Sequence, residues 1–258
     1  MIDTDLSDGV LSLTLNRPET KNALAVPTLH RLLEIIREAA VNDAVRVVTI
    51  TGAGKGFCSG ADVAEWADAV ERGALETYGW TEAAHAAFTA LFALPKPTIA
   101  LINGAAVGGG LDLALACDLR LCADNARFLP GYTAMGYSPD AGASWHLPRL
   151  IGTQAAKAFL FIDEAWGAKK ALHHGLVLEV CLAAELAAHG RALAQRFAQG
   201  PTRAYAATKA LLEQTWQRDF TQQLAAEASA GIACGRTRDA AEAVQAFRES
   251  RTPHFTGE

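Results

Sequence analysis

The sequence predicts an α/β protein, and three observations carry that prediction. Short apolar runs begin near residues 10, 46, 98, 119 and 177, each with the length and composition of a strand. Two of them run straight into glycine-rich loops, and stretches of helical composition follow the loops. With 258 residues, half of them apolar, the chain has enough material to bury a large core.

Taken in order, residues 10–16 alternate leucine with Ser12 and Thr14, a strand, and Arg17-Pro18-Glu19-Thr20-Lys21-Asn22 supplies turn residues. Residues 26–41 place Leu29, Leu32, Leu33, Ile36 and Ala40 at helical spacing, which predicts an amphipathic helix. Residues 45–51 read as a buried strand that enters the loop from Gly52 to Asp62. Residues 62–94 are alanine- and glutamate-rich and helical, interrupted around Gly73 and Gly79. Pro95 and Pro97 then start a strand over 97–101.

Past the next glycine loop, residues 113–117 have helical composition, 118–122 form a short strand, and 128–140 form a loop-rich turn. Asp140 either caps the helix that begins at Ala141 or is free for chemistry. Further helices cover 153–161 and 165–174, ending at Gly175, and 176–180 is the last strand. From Ala183 the chain is helical, with Gly200-Pro201 dividing a body of residues 1–199 from a helical tail of 200–258.

Composition narrows the function. A net charge of −5 without a basic stripe makes nucleic acid and anionic membranes poor partners. No apolar run approaches the ~20 residues that span a bilayer. The N-terminus carries acids rather than a secretory signal, and five cysteines without paired spacing fit reduced thiols in a cytoplasm. The seven histidines are scattered, so no metal site is expected.

The chemistry concentrates in residues 102–112, where a strand delivers Gly108, Gly109 and Gly110 to the mouth of a helix. Free N–H groups and the helix dipole there favour a phosphate or a transient oxyanion. Asp112 follows Gly109 by three residues, on the helix face that carries the Gly109 donor, where a carboxylate makes sense if it handles protons. The loop around Gly60 and Ala61 is a second source of donors. It is not a P-loop, since Gly56 follows Lys55, and not a dinucleotide fingerprint, since Phe57 stands where a third glycine is needed.

Several motifs occur in an order that resembles the crotonase (enoyl-CoA hydratase/isomerase) superfamily nearly end to end. They are Asn16-Arg17-Pro18 with Asn22-Ala23-Leu24, Phe57-Cys58-Ser59-Gly60-Ala61-Asp62, Pro95-Lys96-Pro97 with Asn103-Gly104 and Gly108-Gly109-Gly110, Cys117-Asp118, Leu147-Pro148-Arg149, and a closing Arg251-Thr252-Pro253. The resemblance implies a spiral of repeated ββα units, a C-terminal helical region that drives assembly into a trimer or a dimer of trimers, and coenzyme A thioester substrates. No separate cofactor is implied, since coenzyme A is part of the substrate. It puts an oxyanion hole on the N–H groups of Ala61 and Gly109, and coenzyme A contacts along Lys21, Ala23, Leu24, Ser59, Gly60 and Asp62.

This chain departs from the hydratase pattern, whose two glutamates fall on Asp112 and Tyr132. Asp140 stands where hydratases carry glycine, which is similar to isomerases acting on ring-opened phenylacetyl-CoA and on unsaturated acyl-CoA. The resemblance therefore implies a double-bond shift with Asp140 as acid/base and Asp112 assisting. Two other reactions stay open. One is a dehalogenase resembling those acting on 4-chlorobenzoyl-CoA, with Asp140 as nucleophile, His85 activating water and Tyr132 at a tryptophan position. The other is hydration by Asp112 and Asp140. A binding relative without catalysis is disfavoured by two carboxylates near an anion hole.

Overall fold

The computed structural model describes residues 1–74 and 78–258. Strands β1 (Ile2–Ser7), β2 (Val10–Leu15), β3 (Val47–Gly52), β4 (Thr98–Ile102), β6 (Leu119–Ala123) and β9 (Glu179–Cys181) form a six-stranded sheet in the order β1-β2-β3-β4-β6-β9. Only the β1–β2 pair is antiparallel. Strands β5 (Ala105–Val107), β7 (Arg127–Leu129) and β8 (Trp166–Gly167) form a smaller sheet.

Two successive units, β4–β5 with helix α4 (Gly109–Leu115) and β6–β7 with helix α5 (Ala143–Ile151), each lay one strand in each sheet before the helix. This is the repeated ββα winding of the crotonase spiral. It carries the chain from the larger sheet into the smaller one and then into a helix mouth. The glycine loops therefore lie where strand ends meet helix starts, the usual place for ligands in such architectures.

Burial follows the apolar pattern. Helix α1 (Val26–Val41) turns Leu29, Leu32, Ile35 and Ile36 into the core, each contributing roughly 1.5–3 kcal/mol. Helices α2 (Val63–Glu71) and α3 (Trp80–Phe92) occupy the stretch expected to be an interrupted helix, with residues 75–77 outside the described part. Helix α8 (Leu186–Ala198) covers the opposite face of the large sheet, against Val10, Val47, Ile99, Leu101 and Leu121. Strand β3 is buried on both faces for that reason.

Three local features differ from the sequence reading, and a fourth decides between two alternatives it left open. Strand β1 was not expected, because it is an edge strand with only Ile2 buried, so it lacks an apolar pattern. Asp8 and Gly9, both at positive φ, close its hairpin, and that Asp-Gly pair was the available signal. The stretch 128–140, read as a loop-rich turn, also holds most of β7 and a single 3-10 turn at Thr133–Met135. The helix expected over 165–174 starts only at Ala168, since Trp166 pairs with Phe128 and stacks on Phe159 at 4.4 Å between ring centres. Asp140 caps nothing, because the helix that follows begins after Gly142.

Helices α6 (Thr153–Ile162) and α7 (Ala168–His173) complete the body. The tail comprises α9 (Thr202–Glu213), α10 (Phe220–Gly235) and α11 (Arg238–Arg248). Its end returns to the sheet, where Arg46 donates to the carbonyls of Gly200 at 2.6 Å and Thr256 at 2.7 Å. Among the described residues, no helix is long and apolar enough to cross a membrane.

Candidate active site

The loop 58–61 is held by backbone pairing on two sides. Cys58 N–H donates to Ala105 O at 3.0 Å and Val107 N–H to Cys58 O at 3.0 Å, so the loop runs beside β5. On the other side Leu24 N–H donates to Gly60 O at 2.8 Å, and the Trp80 indole donates to Leu24 O at 2.7 Å. This pairing leaves Ala61 N–H without an acceptor among the described residues. Gly109 N–H is equally free, being the first of α4, which has no partner inside its own helix.

The two donors are neighbours. A Cβ added at Gly109 would lie 3.7 Å from Ala61 N and 2.7 Å from the Trp80 ring. A Cβ added at Gly60, which has φ +88°, would lie 2.7 Å from Val107 O and 3.0 Å from Gly109 N. Glycine is required at both positions by close approach, and at Gly60 by conformation as well. Two neighbouring unpaired donors can stabilise an oxygen that gains charge, and one such donor is worth about 3–4 kcal/mol in a transition state.

Ser59, Gly60, Ala61, Gly108 and Gly109 open onto a cavity of about 610 Å³. Val63, Trp66, Tyr78, Trp80, Tyr132, Tyr137 and Asp140 also wall it, so the chamber is mostly apolar and aromatic. A small set of polar groups in such a chamber is the ordinary make-up of a small-molecule site.

The two aspartates are treated differently. Asp112 is 0% exposed and does not wall the cavity. Its Oδ1 accepts from Ala143 N–H at 2.7 Å and its Oδ2 from the Tyr132 hydroxyl at 2.6 Å. Burial pushes its carboxyl up to about 7, against those two hydrogen bonds and with a smaller push from the charge of Asp140. Asp140 stands at the rim with its side chain open. Partial desolvation raises its carboxyl above the usual range, opposed by its own backbone N–H and by His85.

Tyr132 is buried but reaches the cavity wall, and its hydroxyl is also 3.2 Å from Gly108 O. Burial and the adjacent Asp112 raise its phenol far above the ordinary value, so it stays neutral. His85 does not wall the cavity. Its Nε2 lies 2.6 Å from the backbone carbonyl of Asp140, which makes that nitrogen the donor and the loop carbonyl the acceptor.

The residues expected along coenzyme A are brought to one edge but in different settings. Ser59 and Gly60 reach the cavity, whereas Ala23 and Leu24 are buried beneath it. Lys21 is exposed, in a left-handed conformation, with its carbonyl accepting from Ser59 N–H at 3.0 Å. The Asp62 carboxylate caps α2 through Ala64 N–H at 3.2 Å and pairs with Arg17 at 3.0 Å, so its charge is already answered within the fold.

Sequence reasoning did not single out Trp80, which both holds Leu24 and packs over Gly109. Nor did it single out Tyr137, whose ring meets Trp66 edge-on at 5.8 Å and closes the far wall. An aromatic following Gly79 was the only local sign of the first. Nothing local marked the second.

Comparison with known proteins agrees with this architecture. The pattern of the enoyl-CoA hydratase/isomerase family matches residues 5–258. The chain is 38% identical over 253 residues to a "Probable enoyl-CoA hydratase" of Rhodobacter capsulatus, covering 98% of this chain and 96% of that one. It is 32% identical to the 1,2-epoxyphenylacetyl-CoA isomerase of Escherichia coli, covering 96% and 95%. The crystal structure of an enoyl-CoA hydratase from Bacillus anthracis superposes with a TM-score of 0.92 at 33% identity, covering 100% and 99%. With the paired donors and the spiral winding already described, this protein is a member of the enoyl-CoA hydratase/isomerase family.

Proposed function

We propose that this protein shifts a carbon–carbon double bond in an unsaturated acyl-CoA. In this reading the N–H groups of Ala61 and Gly109 hold the thioester oxygen, and the Asp140 carboxylate moves a proton on the acyl chain. The thioester oxygen gains charge as a dienolate forms, and a proton returned at the other end of that dienolate gives the isomer. The observation that carries the reading is that Asp140 opens into the donor-lined cavity beside the oxyanion donors, with Glu82 also on its wall, while Asp112 is sealed beneath it.

Addition of water needs two groups placed to take and give protons around a water molecule. The second glutamate position of hydratases is the phenol of Tyr132 here, which stays protonated and so supplies no base toward water, and this favours isomerisation over hydration. The dehalogenase reading has less support, because His85 is engaged with the Asp140 carbonyl outside the cavity wall. Coenzyme A would run past Lys21, Ala23, Leu24, Ser59, Gly60 and Asp62. The aromatic wall suits an apolar acyl group. Phe220, Leu224, Ile232, Val244 and Phe247 are exposed on the tail and would be covered in a homotrimer or a dimer of trimers.

The reading is tested by incubating the protein with 2-enoyl-, 3-enoyl-, dienoyl- and 4-chlorobenzoyl-CoA under mass and absorbance detection. An isomer of unchanged mass is expected from an enoyl or dienoyl substrate. Uptake of one water would favour hydration, and chloride release would favour the dehalogenase.

A further inference from the structure

Tyr132 has two oxygen neighbours and one proton. Its hydroxyl lies 2.6 Å from Asp112 Oδ2 and 3.2 Å from the carbonyl of Gly108, the residue before the Gly109 donor. When Asp112 is ionised, the phenol donates to it and is held away from the cavity. When Asp112 is protonated, its own O–H donates to the phenol oxygen, and the phenol proton is released toward Gly108 and the cavity beside the oxyanion hole. Asp112 itself has no route to a substrate, since it is 0% exposed and both its oxygens are engaged by the protein.

Resting on the isomerase reading above, we infer that Tyr132 is the second catalytic group of the site, delivering to the dienolate a proton supplied from beneath by Asp112. Asp112 is then a positioning residue and proton reservoir that never meets substrate.

The step balances. Asp140 takes a proton from one carbon of the acyl chain as that C–H bond breaks and the electron pair moves into the dienolate. A C–H bond then forms at the other end of the dienolate as the Tyr132 O–H bond breaks, and the Asp112 O–H proton passes to the phenol oxygen. The phenol is neutral before and after, as its high pKa requires, and Asp112 is left as carboxylate. After product leaves, water in the cavity returns a proton to Asp112 through Tyr132, and Asp140 releases its own to solvent. A carboxyl with a pKa of about 7 suits such a reservoir at neutral pH.

This arrangement makes the hydrogen removed and the hydrogen added come from different sources, which a label can follow. The experiment uses the intact protein and a 3-enoyl-CoA carrying two deuterium atoms on the α-carbon, with the product examined by mass spectrometry for deuterium at the γ-carbon. Wild type is expected to place only solvent hydrogen there. Tyr132→Phe, and separately Asp112→Asn, are expected to slow turnover by about 10²–10⁴-fold. The turnover that remains should carry deuterium across, because Asp140 then serves both carbons. Asp112→Asn can still accept from Ala143 N–H and, with the second bond reversed, donate from its amide to the Tyr132 oxygen, so it reports even if Tyr132→Phe does not fold.

A variant damaged only in packing would slow the reaction without turning on deuterium transfer. Deuterium carried across by wild type, or full activity in folded Tyr132→Phe, overturns the inference while leaving Asp140 as the acid/base. Absence of any isomerisation by wild type overturns the isomerase reading and this inference with it.

Discussion

The helix mouth at Gly108–Leu115 and the loop from Gly131 to Ala141 each carry one aspartate near the same cavity, Asp112 beneath its wall and Asp140 on it. In the helix, every residue from Gly109 to Leu115 is buried, and Asp112 is fixed by Ala143 N–H and the Tyr132 hydroxyl. In the loop, most residues are exposed, and Asp140 is anchored through its backbone by His85 while its side chain is open. The difference teaches that proximity to an anion hole does not decide what a carboxylate does. The buried one can store a proton near neutral pH, and the open one can exchange protons with substrate and solvent.

The largest effect expected from breaking this comparison is at Asp140. Asp140→Asn keeps the shape of the rim and removes the base, so turnover should fall by about 10²–10⁴-fold while acyl-CoA binding, measured by calorimetry, stays near wild type. Wild-type turnover in the folded variant would remove Asp140 from the chemistry.

A smaller effect, on stability, is expected at Asp112. Its carboxyl is raised in the folded protein to about 7 from an ordinary value near 3.8, so the native state binds more protons than the unfolded state between those pH values. Stability from this group is therefore full below pH ~4, is lost as pH rises through about 7, and is level above that. The loss is on the order of 4 kcal/mol at most. Urea titrations of wild type and Asp112→Asn at several pH values should show that slope in wild type and not in the variant. Equal slopes would place Asp112 in a more polar setting.

The smallest effect is expected at His85. His85→Ala removes one hydrogen bond to the loop carbonyl, typically worth about 1 kcal/mol, and should lower kcat several-fold without changing the identity of the product. A loss as large as that of Asp140→Asn would bring His85 into the reaction itself.

Much of the site was legible in residue order. The glycines at 60 and 109 announced close backbone approach, and Gly60 at φ +88° against Val107 O shows why no other residue fits. Helix α1 was legible because its apolar residues recur at the period of a helix, and β1 was not because an edge strand with one buried residue has no period to read. The aromatic wall was legible only in part: Trp66, Tyr78 and Trp80 share one interrupted helical stretch, but Tyr137 lies far along the chain and meets Trp66 only across the cavity.

The sequence by itself determined the α/β winding and the two glycine loops, because strand length and glycine placement are local properties. Only the tertiary structure decided which aspartate faces the substrate chamber. Helical spacing puts Asp112 on the same face of α4 as Gly109, but it does not say how deep that face lies. Depth was set by Ala143 at the start of α5 and by Tyr132 from the following loop, which close over the carboxylate and leave Asp140 as the one in the open.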